Sequence, residues 1–109
     1  MPRSDQARLR DIAEAATRIR DRVRGLTHEG LAANDVLLRA VLFDLAVIGE
    51  AAKGVSKSAQ ANYPTVPWED MAGMRDVVVH QYFGIDTQIV WNVATTYIHE
   101  LLQKLGDQA

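Results

Sequence analysis

Leu9, Ile12, Ala16, Ile19, Val23 and Leu26 follow one another at spacings of 3, 4, 3, 4 and 3, which lays one apolar stripe along a helix. Ser4 is placed to cap its start and Gly25 lies near its end, so the helix is predicted from Asp5 to Arg24. A polar connector, Thr27-His28-Glu29-Gly30, follows. From Asn34 to Gly54 the apolar residues, among them Val36, Leu37, Val41, Phe43, Leu45 and Ile48, face nearly every direction, which predicts a central helix buried on two sides. Between Gly54 and Trp68 the pattern lapses into Ser, Gln, Asn, Pro64 and Pro67, with one short helical stretch expected near Ser56 to Asn62. Pro67 suits the first position of a third long helix over Trp68 to Tyr82, where Glu69 and Asp70 favour the first turn. Gly84 is a stop and Asp86 a cap. Ile89, Val90, Val93, Ala94, Tyr97, Ile98, Leu101, Leu102 and Leu105 then trace a last amphipathic helix. Val77-Val78-Val79 has no partner strand elsewhere, so no sheet is expected. The reading is all-α: one four-helix up-and-down bundle, a single domain over residues 1–109, with a short extra helix or turn before the third long helix.

Composition removes several chemistries. The chain has 109 residues and no cysteine, so disulfides, thiolate catalysis and zinc fingers are excluded. No apolar run approaches the ~20 residues that span a bilayer, and the polar start Met1-Pro2-Arg3-Ser4 carries no export signal. A cytoplasmic location is expected. Charge is uneven: residues 1–24 hold seven Arg against four acids, a balance of +3, whereas residues 25–109 hold five bases against ten acids, or −5. A basic helix on an acidic domain can steer a phosphate backbone locally, or it can simply be a solvated face.

Candidate chemistry gathers in Met71 to Gly84. Arg75 and Tyr82 are seven apart and share a helical stripe, while Asp76 and His80, four apart, share the neighbouring one. An Asp one turn before a His can accept its ring N–H and fix the tautomer. Arg grips phosphate with a planar fork. Arg with His, and no recognisable metal set, suits RNA phosphodiester cleavage, in which His moves protons and Arg stabilises the charged transition state; the same residues can also be a hydrogen-bonded surface network. Glu50, in an otherwise apolar helix, reads as a paired buried acid that could face the Arg75 stripe and hold it. His28 and His99 lack a second His at ligand spacing, so no metal or cofactor is expected. Trp68 and Trp91 read as core anchors.

The pattern Arg75-x4-His80-x-Tyr82, with Pro64, Pro67-Trp68, Gly73, Phe83-Gly84, Asp86, Trp91 and the upstream Ile48-Gly49-Glu50-Ala51, resembles the HepT-like branch of the HEPN superfamily over nearly the whole chain. The resemblance implies an all-α homodimer whose two motifs meet across a cleft, and a metal-independent ribonuclease toxin of a type VII-like toxin–antitoxin system. It also implies a partner, a minimal nucleotidyltransferase antitoxin that silences the toxin by transferring AMP to the motif tyrosine. By position, Arg75 and His80 become the catalytic pair and Tyr82 the modified residue. Asp76 takes the polar place beside the Arg, and Glu50 is a supporting residue. Asp44 stands where the family's helix is expected to carry Asn, and no role is attached to it. Two other readings compete: a non-catalytic helical module that binds nucleotide or docks a nucleotidyltransferase, and a plain structural bundle.

Overall fold

The structure, a computed structural model, describes residues 3–84 and 86–106, and in one helix it describes the backbone but not the side chains of Val77 and residues 80–83. All regular structure among the described residues is helical. Helix α1 spans Asp5–Val23, with the Ser4 hydroxyl accepting from the Ala7 N–H at 3.1 Å, and its stripe Leu9, Ile12, Ala15, Ala16, Ile19 and Val23 is buried as the periodicity requires. Gly25 takes φ 77° just beyond the end, a conformation glycine adopts without strain.

The expected connector winds into a short helix instead. In α2, His28–Ala32, the Thr27 hydroxyl accepts from the Gly30 N–H at 3.0 Å, so a capping threonine suffices to start one turn. Helix α3, Asp35–Gly54, is capped by Asn34 and is the centre of the molecule. It packs on α1 along one flank and on α5 and α6 along another. Between those flanks Val36 and Phe43 lie 79% and 68% exposed, so the helix that looks apolar all round in sequence keeps one apolar stripe in solvent. Helix α4, Lys57–Gln60, falls within the expected short stretch. Its cap, Ser56, donates its N–H and hydroxyl to the Asp5 carboxylate at 2.8 and 2.6 Å.

The third long helix is in two pieces. Helix α5 covers Trp68–Ala72 and α6 covers Met74–Phe83, with Pro67 just before the first helical residue rather than at it. At the join the Asp76 N–H bonds to the Gly73 carbonyl three residues back, at 3.0 Å, and glycine resists the break least. Helix α7, Thr87–Asn92, starts at Asp86, whose carboxylate accepts from the Gln88 N–H at 3.0 Å. It passes into a π turn over Val93–Tyr97, where the Ile98 N–H reaches the Val93 carbonyl five residues back, and continues as α8, Ile98–Leu105. Within that turn the Thr95 hydroxyl donates to the Trp91 carbonyl at 2.7 Å, a side-chain intrusion of the kind that deforms helices. Trp68 and Trp91 pack partly buried against the core, as anchors. No helix among the described residues is long and apolar enough to cross a membrane.

Candidate functional site

The site begins with a glycine. A Cβ placed on Gly49 of α3 would lie 2.8 Å from the Arg75 N, 3.3 Å from the Arg75 Cβ and 3.3 Å from the Met71 carbonyl oxygen, so α3 meets the α5–α6 join at a separation that only glycine permits. That approach puts Arg75, in the first turn of α6, beside Glu50. The Arg75 Nη1 donates to the Glu50 Oε2 at 2.9 Å, and the two side chains are 60% and 62% exposed. Glu50 is therefore paired with Arg75 as expected but is not buried, because its place on α3 lies toward the open stripe rather than the core.

Open hollows flank this ion pair. One, of about 310 Å³, continues the exposed stripe and is lined by Phe43, Ala46 and Val47. The other, of about 470 Å³, is lined by Gly49, Lys53, Gly73, Asp76 and Val79. Arg75, Asp76 and Glu50 are thus brought to one rim, with Lys53 as a second cation that the sequence pattern did not single out, although it lies one turn after Glu50. His80 lies on α6 beyond Arg75, but its side chain and that of Tyr82 fall outside the described ones. An exposed guanidinium at the mouth of a hollow, held among the described residues by a solvated carboxylate, can exchange that partner for a phosphate, since such surface pairs are worth only about 0.2–1 kcal/mol.

The buried acid is elsewhere. Asp44, which carries no role in the sequence reading, has a side chain only 3% exposed and faces α1. Its Oδ1 accepts from the Nε and Nη2 of Arg18 at 3.1 and 3.0 Å, and its Oδ2 is bonded by the Nη1 of Arg22. A sequence signal exists: Asp44 shares a core stripe with Val41 and Ile48, and Arg18 and Arg22 are an i, i+4 pair.

Two other polar side chains, His28 and Tyr97, line neither hollow. His28 is in α2 rather than a loop, its Nε2 2.8 Å from the Thr87 hydroxyl and its ring tilted against Trp91 at 6.5 Å. The Tyr97 hydroxyl is buried with no partner among the described residues, and burial, with Asp70 and Glu100 adding to it, pushes its pKa up to about 12.

Comparison with known proteins adds to this geometry. A family model described as "Ribonuclease HepT-like" matches residues 12–107. The chain is 37% identical over 99 residues to "Putative RNase TTE0752" of Caldanaerobacter subterraneus subsp. tengcongensis, covering 91% of this chain and 88% of that one. It is 39% identical over 102 residues to "Putative RNase MJ1216" of Methanocaldococcus jannaschii, covering 93% and 84%. With "Probable ribonuclease HepT" of Thermococcus cleftensis it shares 36% identity over 104 residues, covering 95% and 94%. No solved structure matches the chain.

Proposed function

Because the chain belongs to the HepT-like ribonuclease family, we propose that it is a metal-independent endoribonuclease toxin, with Arg75 and His80 as its catalytic pair and a nucleotidyltransferase antitoxin as its partner. The observation that carries this reading is Arg75: a half-exposed guanidinium at the mouth of a 470 Å³ hollow, held among the described residues by the solvated Glu50 and borne on the same helix as His80. A ribose 2′-oxygen attacks the adjacent phosphorus as one imidazole takes its proton; the P–O5′ bond breaks, and the leaving 5′-oxygen receives a proton from a second imidazole. Arg75 offsets the charge that accumulates on the phosphate oxygens. One motif supplies one His, so two copies related by a twofold axis complete the set. The uncovered Val36 and Phe43 stripe, which runs into the hollow beside Arg75, is the surface for that pairing.

Silencing follows as AMP transfer to Tyr82, which adds about one negative charge to the helix that bears Arg75 and His80. Of the remaining tyrosines, Tyr97 is a poor acceptor because its hydroxyl is buried. The test is cleavage of single-stranded RNA in EDTA. Activity should persist and leave a 2′,3′-cyclic phosphate, and His80→Ala should lower it by ~10²–10⁴-fold with helical circular dichroism intact. Activity abolished by EDTA and restored by a divalent ion would refute the mechanism. Loss of helicity in His80→Ala would make His80 structural.

A further inference from the structure

The cluster of Arg18, Asp44 and Arg22 is built more strongly than a brace between two helices requires. Helices α1 and α3 are already joined by buried Ile12, Ala15, Ala16 and Ile19 against Val41, Leu45 and Ile48. A buried carboxylate adds little to such an interface, since its desolvation offsets most of the ion-pair attraction. One arginine would neutralise it. The second leaves the cluster with a net charge of +1 at the surface, the two arginine side chains being 43% and 35% exposed.

The hydrogen bonds also pre-set the guanidiniums. Arg18 is gripped through two nitrogens and Arg22 through one. The Nη1 of Arg18 and the Nε and Nη2 of Arg22 bond no other described residue, so a fan of donors is held ready at the surface without the rotamer freedom a lone surface arginine must lose. Elsewhere on the basic segment Arg3 pairs with Asp11, and Arg20 and Arg24 share Asp21, and neither of those carboxylates is buried as Asp44 is, so these guanidiniums are not fixed in the same way. Net positive charge with fixed, forked donors suits a phosphodiester, which accepts two such bonds at once. Along α3, Asp44 and Glu50 are six residues apart, about 9 Å of rise and about 120° around the axis. The cluster thus stands on the flank of α3 away from Arg75, near enough for one strand to touch both.

We propose that Arg18 and Arg22, held by Asp44, bind one backbone phosphate of the RNA strand outside the cleavage site. The proposal rests on the ribonuclease reading. Binding is therefore measured apart from cleavage, in the His80→Ala protein, as the affinity for single-stranded RNA at a series of salt concentrations. Adding Arg18→Gln and Arg22→Gln should weaken binding about 10-fold and lower the slope of log affinity against log salt by about 0.7, the value for one phosphate fewer neutralised on a single strand. Those substitutions leave a buried carboxylate without its cations. The measurement is repeated with Asp44→Asn added, where the buried group is neutral, and thermal melting identifies which protein is folded. If the folded variant binds RNA with unchanged affinity and slope, the anchor is overturned and an acidic protein surface is left as what the arginines face. If RNA binds neither protein and the wild type cuts none, the ribonuclease reading falls and the anchor with it.

Discussion

The two flanks of α3 each set an acid against arginine and end up with opposite properties. On the α1 flank Asp44 is sealed in and draws two guanidiniums to itself; on the α6 flank Glu50 stands in solvent and holds one at the rim of an open hollow of about 470 Å³. The residue types are nearly the same. What differs is water. A carboxylate out of water cannot release its partners without being left as an uncompensated charge, so Arg18 and Arg22 are fixed points. A solvated carboxylate loses almost nothing when its arginine leaves, so Arg75 is free to change partners. One helix thereby offers a rigid cation pair and an exchangeable cation.

The largest effect that would break this contrast is on stability. Replacing Arg18 and Arg22 together by Ala should destabilise the protein by about 3 kcal/mol, the lower end for an orphaned buried charge because both guanidiniums are part-exposed; urea denaturation reads it, and a loss under 1 kcal/mol would mean that water reaches Asp44. Gly49→Ala comes next. The new methyl would lie 2.8 Å from the Arg75 N, so about 1–3 kcal/mol of overpacking is expected, together with a lower kcat as the α5–α6 join moves Arg75. Full activity in a stable Gly49→Ala protein would show that the close approach is incidental. Glu50→Gln should shift stability by less than about 1 kcal/mol, and RNA should bind it at least as tightly as the wild type, because Arg75 no longer leaves a charged partner. Weaker binding would make Glu50 part of the binding surface itself.

The smallest effect concerns a third acid, held by serine rather than arginine. Asp5 accepts the hydroxyl and then the N–H of Ser56, and both hold its pKa below the ordinary 3.8. Its folded value lies below its unfolded one, so the stabilisation is complete above that ordinary value and is lost as pH falls through the folded one. Between pH 5 and 3, Asp5→Asn should accordingly lose less stability on acidification than the wild type does, as read from urea midpoints.

The long helices are legible in the sequence because burial imposes a period of 3.6 on their apolar residues, and the caps Ser4 and Asp86 act through neighbours two or three positions away. Helix α2 is not, since five residues show no period and only Thr27 marks them. The break at Gly73 is invisible because an isolated glycine inside a helical pattern is usually tolerated, and the close approach of α3 to the join, at Gly49, involves a residue 24 positions away. At the site, the Glu50–Arg75 pairing is foreseeable and its exposure is not. Burial depends on which flank a neighbouring helix covers, and the apolar pattern of α3 offers several. The same ambiguity hides Asp44, whose partners are 26 and 22 residues away.

The π turn at Val93–Tyr97 has its own consequence for how the chain tolerates length changes. A turn closed five residues back holds one residue more than a turn closed four back. Deleting a single residue there would let the turn close as ordinary α-helix, with Ile98, Leu101 and Leu105 still presented to the core. The same deletion in the middle of α1 or α3 would rotate everything after it by about 100° and turn half of a buried stripe to water. Of the long helices, the last is thus the one with a spare residue, and a shorter version of it would keep its place in the bundle.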